Sequence, residues 1–466
     1  MANQAVGHYR WWICGLIFFA TTINYLDRQV LSLLSPQLMS AYQWTNIDYG
    51  NIVSLFTFVY AISMMVAGRF IDKLGTKKGY ILAIIIWSVG AGIHAIAYQM
   101  GFALYQFLSF IGLADIDKEN GLVNGSAAVA VYSVAGFMIA RAVLAFGESG
   151  NFPAAIKATA EYHPKKERSL ATGIFNSGAN VGAILAPLTV PAIALLWGWQ
   201  WAFIAVMLIG FVWVGFWWVW YEKPEDQKRL GARELAYINS DVDEESDVEK
   251  VVHTPWAKLL SFRQTWAFAF GKFMTDGVWW FFLFWLPIYL NAQYGMAATD
   301  IAIPIAFIYT LTMVGSIGGG AFPNFFLRYG MDVFNARRTA MFVIALFPLV
   351  VLFAQPLGHI SYWVPVILIA IGASAHQAWS ANIFTTVSDI FPKNAVASVV
   401  GIGGFAGGMG GVLLNQLGGV LFDHFEHLGK ISVGYSIMFA ICATAYILAW
   451  IVMRILVPKY KPITEL

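Results

Sequence analysis

Residues 49–100 read YGNIVSLFTFVYAISMMVAGRFIDKLGTKKGYILAIIIWSVGAGIHAIAYQM. Two apolar runs, 49–71 and 79–100, flank a short turn bearing Arg69, Asp72, Lys73, Lys77 and Lys78. Each run reaches the roughly 20 residues that a helix needs to cross the hydrocarbon of a bilayer. The basic turn between them reads as a cytoplasmic loop, because lysine and arginine are retained on that side of a membrane. Working outward, similar runs lie at 11–34, 128–154, 168–191 and 197–221, and again at 264–291, 301–327, 338–355, 362–388, 395–421 and 432–456. The expected fold is an all-α membrane protein of about twelve transmembrane helices in two six-helix halves.

The halves cover 1–221 and 263–466, and a charged segment, 222–262, joins them. Its acidic cluster, Asp241 to Glu249, lies between basic ends and reads as part of a cytoplasmic linker. Placing both termini in the cytoplasm leaves only Lys118 and Lys430 in outer loops, with every other lysine and arginine outside the spans on the inner side, which satisfies the positive-inside rule. One outer loop, 101–127, is long and carries Asp115, Asp117, Glu119 and Asn124; an external hairpin or a partial helix is expected there.

Composition supports the same class. Apolar residues make up 59% and charged residues 12%, against about 45–50% and about 25% in soluble domains. A net charge of +2 gives no basic surface for nucleic acid. Cys14 and Cys442 sit inside apolar runs without disulfide or metal spacing and read as packing residues. No catalytic triad, metal cluster or phosphate loop is visible, so neither an enzyme nor a bound cofactor or metal is expected. Met1 to Arg10 is short and polar, and the following run has no cleavage site of small residues, so no removable signal peptide is expected. In the run 395–421, Gly403, Gly407 and Gly411 recur at every fourth position, a spacing that lets helices approach closely in lipid.

Ionisable groups at bilayer depth cost about 2.5–3.5 kcal/mol each on insertion scales and need a reason. Asp27 and Arg28 lie in the first run, Arg141 and Glu148 in the fourth, Lys272 and Asp276 in the seventh. Asn24 and Asp27, like Tyr25 and Arg28, are three apart and share a helix face. Arg141 and Glu148 are two turns apart on one stripe. Lys272, Asp276 and Trp280 follow at intervals of four, His376, Trp379 and Asn382 at intervals of three, and Asn176 and Asn180 are four apart. These stripes can converge on one interior. Buried ion pairs that merely hold helices together are the structural alternative, but Asp27 and Arg28 point some 100° apart and cannot simply neutralise each other. On the functional reading, Arg28 and Lys272 attract a carboxylate, arginine through a two-pronged hydrogen bond. Asp27 and Glu148 carry protons, since a carboxyl removed from water is more readily protonated. Tyr60 can reach a sugar hydroxyl, and His376 is either a packing residue or a further contact.

The turn Gly68-Arg69-Phe70-Ile71-Asp72-Lys73-Leu74-Gly75-Thr76-Lys77-Lys78 resembles the cytoplasmic loop motif of the major facilitator superfamily. Asp72 is placed to cap a helix end, with Lys73, Lys77 and Lys78 at the cytoplasmic surface. Arg328-Tyr329-Gly330 and Ala336-Arg337-Arg338 form a degraded echo in the second half, with Pro323-Asn324 where the acidic turn would stand. Asn24-Tyr25-Leu26-Asp27-Arg28, Arg141 through Glu148-Ser149-Gly150-Asn151-Phe152-Pro153, Phe175-Asn176-Ser177 and Trp285-Leu286-Pro287 resemble the anion:cation symporter family, which includes aldonate, hexuronate and glucarate permeases and the animal sialin and vesicular glutamate carriers. Gly271-Lys272-Phe273, Asp276, Trp279-Trp280-Phe281 and His376-Gln377-Ala378-Trp379-Ser380-Ala381-Asn382 look most like bacterial hexuronate permeases. The galactonate type would have glutamine at Lys272 and Ala179 and asparagine at Gly404.

The resemblance implies a multi-pass protein of a bacterial inner membrane that takes up a small organic anion, here a hexuronate, with protons as the coupling ion; a monomer is expected. By it Arg28 binds the substrate carboxylate, Tyr25 and Tyr60 line the site, Asp27 and Glu148 couple protons, and Arg141 sets the charge of Glu148. A carrier of aldonates, glucarate or other organic anions, an anion exchanger, and a sensor built on a transporter fold are the alternatives.

Overall fold

The computed structural model describes residues 7–111, 126–241, 255–459, 461 and 463, and those residues form helices and connections without a strand. The first half contains α1 (Tyr9–Tyr42), α2 (Asn46–Leu74), α3 (Thr76–His94), α4 (Ala97–Phe110), α5 (Ser126–Glu148), α6 (Asn151–Tyr162), α7 (Lys165–Trp197) and α8 (Trp199–Trp220). Between the halves lie α9 (Ala232–Ile238) and α10 (Trp256–Leu259). The second half contains α11 (Arg263–Tyr294), α12 (Ala298–Ala321), α13 (Pro323–Arg328), α14 (Val333–Leu346), α15 (Ala354–Leu357), α16 (Trp363–Ile390), α17 (Lys393–His427) and α18 (Ile431–Leu456).

Among the described residues, 10 helical spans are long and apolar enough to cross a bilayer, or up to 11 if α3 and α4 count as one. The 34-residue α1 is not one of them. It buries Thr21, Thr22, Asn24, Asp27, Arg28, Gln29, Ser32 and Ser35, and polar groups at this depth face protein rather than lipid. The single run expected over 79–100 is instead two helices, because the chain turns by 89° after His94. The turn lays α4 along α5, where Gly101 meets the Tyr132 carbonyl and Gly136 meets the Ala97 carbonyl. Part of the expected outer loop 101–127 is therefore helical, and its remainder lies outside the described residues. The run expected over 128–154 is one apolar span, Ala128–Tyr162, in which a short turn at Ser149–Gly150 separates α5 from α6.

The glycine repeat packs α17 onto α11. Gly403, Gly407 and Gly411 face Phe268, Asp276 and Trp280, and Gly410 rests against the Phe273 carbonyl. Without a Cβ these positions let the two backbones approach. Cys14 and Cys442 are buried and unpaired.

At one end of the bundle the halves are locked together. Asp423 of α17 accepts from the Asn46 amide at 2.7 Å and the Ile47 amide at 2.9 Å, so a carboxylate of one half satisfies the open N-terminus of α2 in the other. Asn46 Nδ2 also donates to Asp423 at 2.9 Å and to Glu426 at 2.8 Å. Gln416 donates to Asn51, Tyr49 to the Phe284 carbonyl and Ser32 to the Leu283 carbonyl. The seal continues to Thr57 and Ala61, which pack against Gly411 and Gly408. Beyond it the helices part. Gly404 and Gly401 continue the Gly408 face of α17, and Gly68 lies two turns along α2, yet a Cβ at any of them would meet no atom. The polar contacts between the halves gather at the Asn46–Asp423 end, while toward the other, open end Gly401, Gly404 and Gly68 face empty space.

The basic turn lies at the open end. Asp72 does not cap a helix there, as the sequence suggests; it accepts from Lys157 of α6 at 2.8 Å, and Gly75 with φ 78° makes the turn. Thr76 donates to Glu161 at 2.7 Å and Lys77 pairs with Glu222, while Lys73 and Lys78 are exposed. The first part of the linker is fastened to the first half. Glu234 of α9 caps the start of α1, accepting from the Tyr9 amide at 3.2 Å, the Arg10 amide at 3.1 Å and Arg10 Nη1 at 3.1 Å. Arg10 also donates to both oxygens of Glu167, at 2.8 and 3.2 Å, and Tyr237 donates to Glu167 at 2.8 Å. The acidic cluster beyond Asp241 lies outside the described residues.

Two outcomes test this packing. Gly410→Val forces a side chain into the Phe273 backbone and should lower thermal stability by about 1–3 kcal/mol, whereas Gly404→Ala should leave the melting temperature in detergent unchanged. The hydrogen bonds from Arg10 hold the Glu167 carboxyl below its ordinary value of 4.5. That contribution to stability is complete above the ordinary carboxylate range and fades as pH falls through the depressed value. Wild type should therefore lose more stability than Glu167→Gln between neutral pH and pH values below about 4.5.

Candidate functional site

Helix α1 carries the centre of the site across the interface between halves. Arg28 is 3% exposed and Glu148, at the end of α5, 1%. Arg28 Nε and Nη2 both donate to one oxygen of Glu148, at 3.0 and 2.8 Å, and Nη2 reaches Asn24 at 3.4 Å. Four aromatic rings surround the guanidinium, with centroids at 4.7 Å for Tyr60, 5.0 Å for Tyr25, 5.3 Å for Trp280 and 5.7 Å for Phe56. Rings at these distances stabilise a desolvated cation through their quadrupoles. Trp280 belongs to α11, so the second half closes a box that the first half begins.

Around the pair, other polar atoms are unsatisfied. Among the described residues neither oxygen of Asp27 has a hydrogen-bond partner, nor do Oε1 of Glu148 and Nε and Nη1 of Arg141. Arg141 is fully buried, donates to the Arg28 carbonyl at 3.3 Å and lies 5.0 Å from the Phe56 ring. The two-turn spacing of Arg141 and Glu148 suggests a same-helix pair, but the partner of Glu148 is Arg28 on α1. Spacing along one helix says nothing about a neighbour that reaches across.

Beside this cluster a cleft of about 470 Å³, counting the space at its mouth, lies between the halves. Tyr25 and Gln29 of α1 and Asn176 and Asn180 of α7 face Trp279 of α11, Tyr309 and Ser316 of α12 and Gln377 of α16 across it. Tyr25 belongs both to the cleft and to the box around Arg28. The walls offer amides, hydroxyls and aromatic faces.

The remaining expected residues serve the second half. Lys272 pairs with Asp276 at 2.6 Å and lies over the Phe384 ring at 4.3 Å, so its charge is already matched. His376 hydrogen-bonds Tyr446 at 2.9 Å and stacks on Trp279 at 5.0 Å, holding a ring that lines the cleft. Trp379 is fully buried against Tyr446. Asn382 donates to the Gly319 and Ala378 carbonyls, tying α16 to α12. His376, Trp379 and Asn382 support the wall without lining the cleft. Sequence reasoning does not single out Gln29, Trp279, Tyr309, Ser316 or Phe56 as site residues. Gln29 stands one turn from Tyr25, and Phe56 one turn from Tyr60, which is the signal that could have found them.

The sequence matches the Major Facilitator Superfamily over residues 17–115 and 121–415. The chain belongs to that superfamily. It is a multi-pass membrane transporter and not an enzyme. It is 29% identical over 449 residues to the hexuronate transporter of Escherichia coli (strain K12), covering 95% of this chain and 93% of the relative. It is 28% identical over 320 residues to a galacturonate transporter of Dickeya chrysanthemi, covering 69% of this chain and 83% of that one. Among solved structures, a bacterial homologue of the human lysosomal transporter Spinster, in an inward-facing and occupied conformation, superposes with a TM-score of 0.71 over 99% of this chain and 100% of its own, at 17% identity. That last likeness concerns the fold.

Removing one partner of a buried ion pair leaves the other charge uncompensated, at a cost of about 3–5 kcal/mol. Glu148→Ala should therefore lower the thermal stability of the superfamily member far more than the double change Glu148→Ala, Arg28→Met. Near-equal losses in the two variants would show that the pair is not coupled in this way.

Proposed function

We propose that this transporter takes up a small sugar acid, best a hexuronate, together with protons, by rocking its halves about the cleft. The observation that carries the reading is the buried Arg28–Glu148 pair beside a cleft walled by amides and aromatic rings. Arginine suits a planar carboxylate because two parallel N–H groups match its two oxygens. In the resting arrangement Glu148 takes that fork with a single oxygen. A proton on Glu148 removes its charge and weakens its hold, and a substrate carboxylate then replaces it on Arg28. Asp27, buried with both oxygens unpartnered by described residues, supplies a second place for a proton, because an ionised carboxylate so placed is costly. Arg141 holds the Arg28 backbone and brings positive charge to both carboxyls. Asn176, Asn180, Gln29 and Gln377 can meet sugar hydroxyls, and Trp279 and Tyr309 the ring's apolar edge.

We read the arrangement as inward-facing, because the basic turn lies at the end away from the Asn46–Asp423 contacts and the positive-inside rule puts such a turn in the cytoplasm. We place the protein, as a monomer, in the inner membrane of a bacterium. Each net positive charge carried inward gains about 2.3 kcal/mol per 100 mV of membrane potential. The relatives named for hexuronate and galacturonate transport support the substrate class. An aldonate or glucarate carrier is the nearest alternative, and a strict anion exchanger the next.

Uptake of labelled glucuronate into proteoliposomes tests the reading. An inwardly directed proton gradient should drive accumulation that galacturonate inhibits and glucose does not. Arg28→Lys, which loses the fork, should lower uptake by about tenfold or more, the equivalent of about 1.4 kcal/mol. Glu148→Gln should retain glucuronate exchange but lose accumulation. Undiminished accumulation in Glu148→Gln would remove the proton role, and uptake of aldonates alone would reassign the substrate.

A further inference from the structure

A second recess lies inside the second half, away from the cleft. It opens between α11, α14, α16 and α18 at the end of the bundle that carries the basic turn, and spans about 680 Å³ including its mouth. Phe268, Met341, Ile390 and Met453 form apolar walls, while Arg338, Arg454 and Trp450 stand among its lining.

The charges of this recess are unevenly matched. Arg337 pairs with Asp389. Among the described residues no carboxylate is in salt-bridge contact with Arg338: its Nη1 donates to the Pro458 carbonyl at 2.8 Å and its Nη2 to Asn335 at 2.6 Å, and Asp332, which accepts from Asn335, acts on it only from farther off. Arg454 is exposed and lies 5.5 Å from the Trp450 ring. Trp450 in turn donates to the Arg338 carbonyl at 3.0 Å, which fixes the two basic positions relative to each other. An apolar slot whose mouth carries two cations with no salt-bridged carboxylate among the described residues, set by a tryptophan at the end of membrane-spanning helices, matches a ligand with a phosphate head and a hydrocarbon tail. Tryptophan favours the headgroup level, arginine binds phosphate through its fork, and basic pockets between helices on this side suit anionic headgroups.

We propose that this recess holds one anionic phospholipid of the surrounding leaflet, its phosphate on Arg338 and Arg454 and the start of an acyl chain against Met341, Met453 and Phe268. Charge complementarity selects this occupant over a zwitterionic lipid. The site is independent of the substrate cleft, and the proposal does not rest on the transport reading.

Native mass spectrometry of the full chain, released from micelles carrying equal phosphatidylglycerol and phosphatidylcholine, tests it. The wild type should retain phosphatidylglycerol preferentially. Arg454→Gln, an exposed change that breaks no hydrogen bond among the described residues, should reduce that preference about fivefold, the worth of one basic group at an anionic surface. Arg69→Gln, a cation on the same face outside the recess, should not. Thermal stability of delipidated protein separates the sources of phosphate. Phosphatidylglycerol should raise the melting temperature, whereas inorganic phosphate and glycerol phosphate should not. Equal retention of the two lipids, an unchanged preference in Arg454→Gln, or a full shift with inorganic phosphate alone would each overturn the assignment.

Discussion

The ion pair between Arg28 and Glu148 constrains the centre of this protein. Two charges removed from water need each other, and here the cation also needs the four rings that enclose it. That requirement explains why α1 is the least lipid-like of the long helices and why Trp280 of the second half is drawn against residues of the first. The arrangement is stable only while Arg28 has an anionic partner. A substrate carboxylate can be that partner, and exchanging one anion for another needs no new charge at the centre.

The rest of the fold makes such an exchange consequential. The closed end is sealed by polar contacts between Asp423 and the start of α2, and by glycines that let α17 lie against both α2 and α11. The other end is parted, with Gly401, Gly404 and Gly68 facing open space. Glycine faces of this kind can close without rearranging side chains. The cleft lies between the two ends and draws its walls from α1, α7, α11, α12 and α16, so any group bound there touches both halves. The linker helix α9 travels with the first half because Glu234 caps α1.

Much of this was legible in the sequence. Long apolar runs and basic turns gave the class, and the intramembrane charges pointed to the centre, because polar groups at that depth are rare enough to be informative. The fourfold glycine spacing named the face of α17 that meets α11. What stayed hidden was contact between helices. Periodicity placed Arg141 and Glu148 on one stripe, but the partner of Glu148 comes from α1, 120 residues away. The stripe His376, Trp379 and Asn382 was real, yet it faces Tyr446 and α12, since helical spacing shows which residues share a face and not what that face meets. Likewise the 89° turn after His94 depends on glycines 35 positions apart, Gly101 and Gly136, meeting the backbone of another helix.

The central claim is that substrate takes the place of Glu148 on Arg28 and that Glu148 receives a proton as it leaves. Proton uptake on binding measures this directly: glucuronate is added to purified protein in weakly buffered solution near neutral pH, with Glu148→Gln as the control. The account predicts that binding alkalinises the solution in the wild type and that the Glu148-dependent part, about one proton per bound substrate, disappears in the variant. Glucuronate binding with no proton taken up, or with the same uptake in Glu148→Gln, would contradict it.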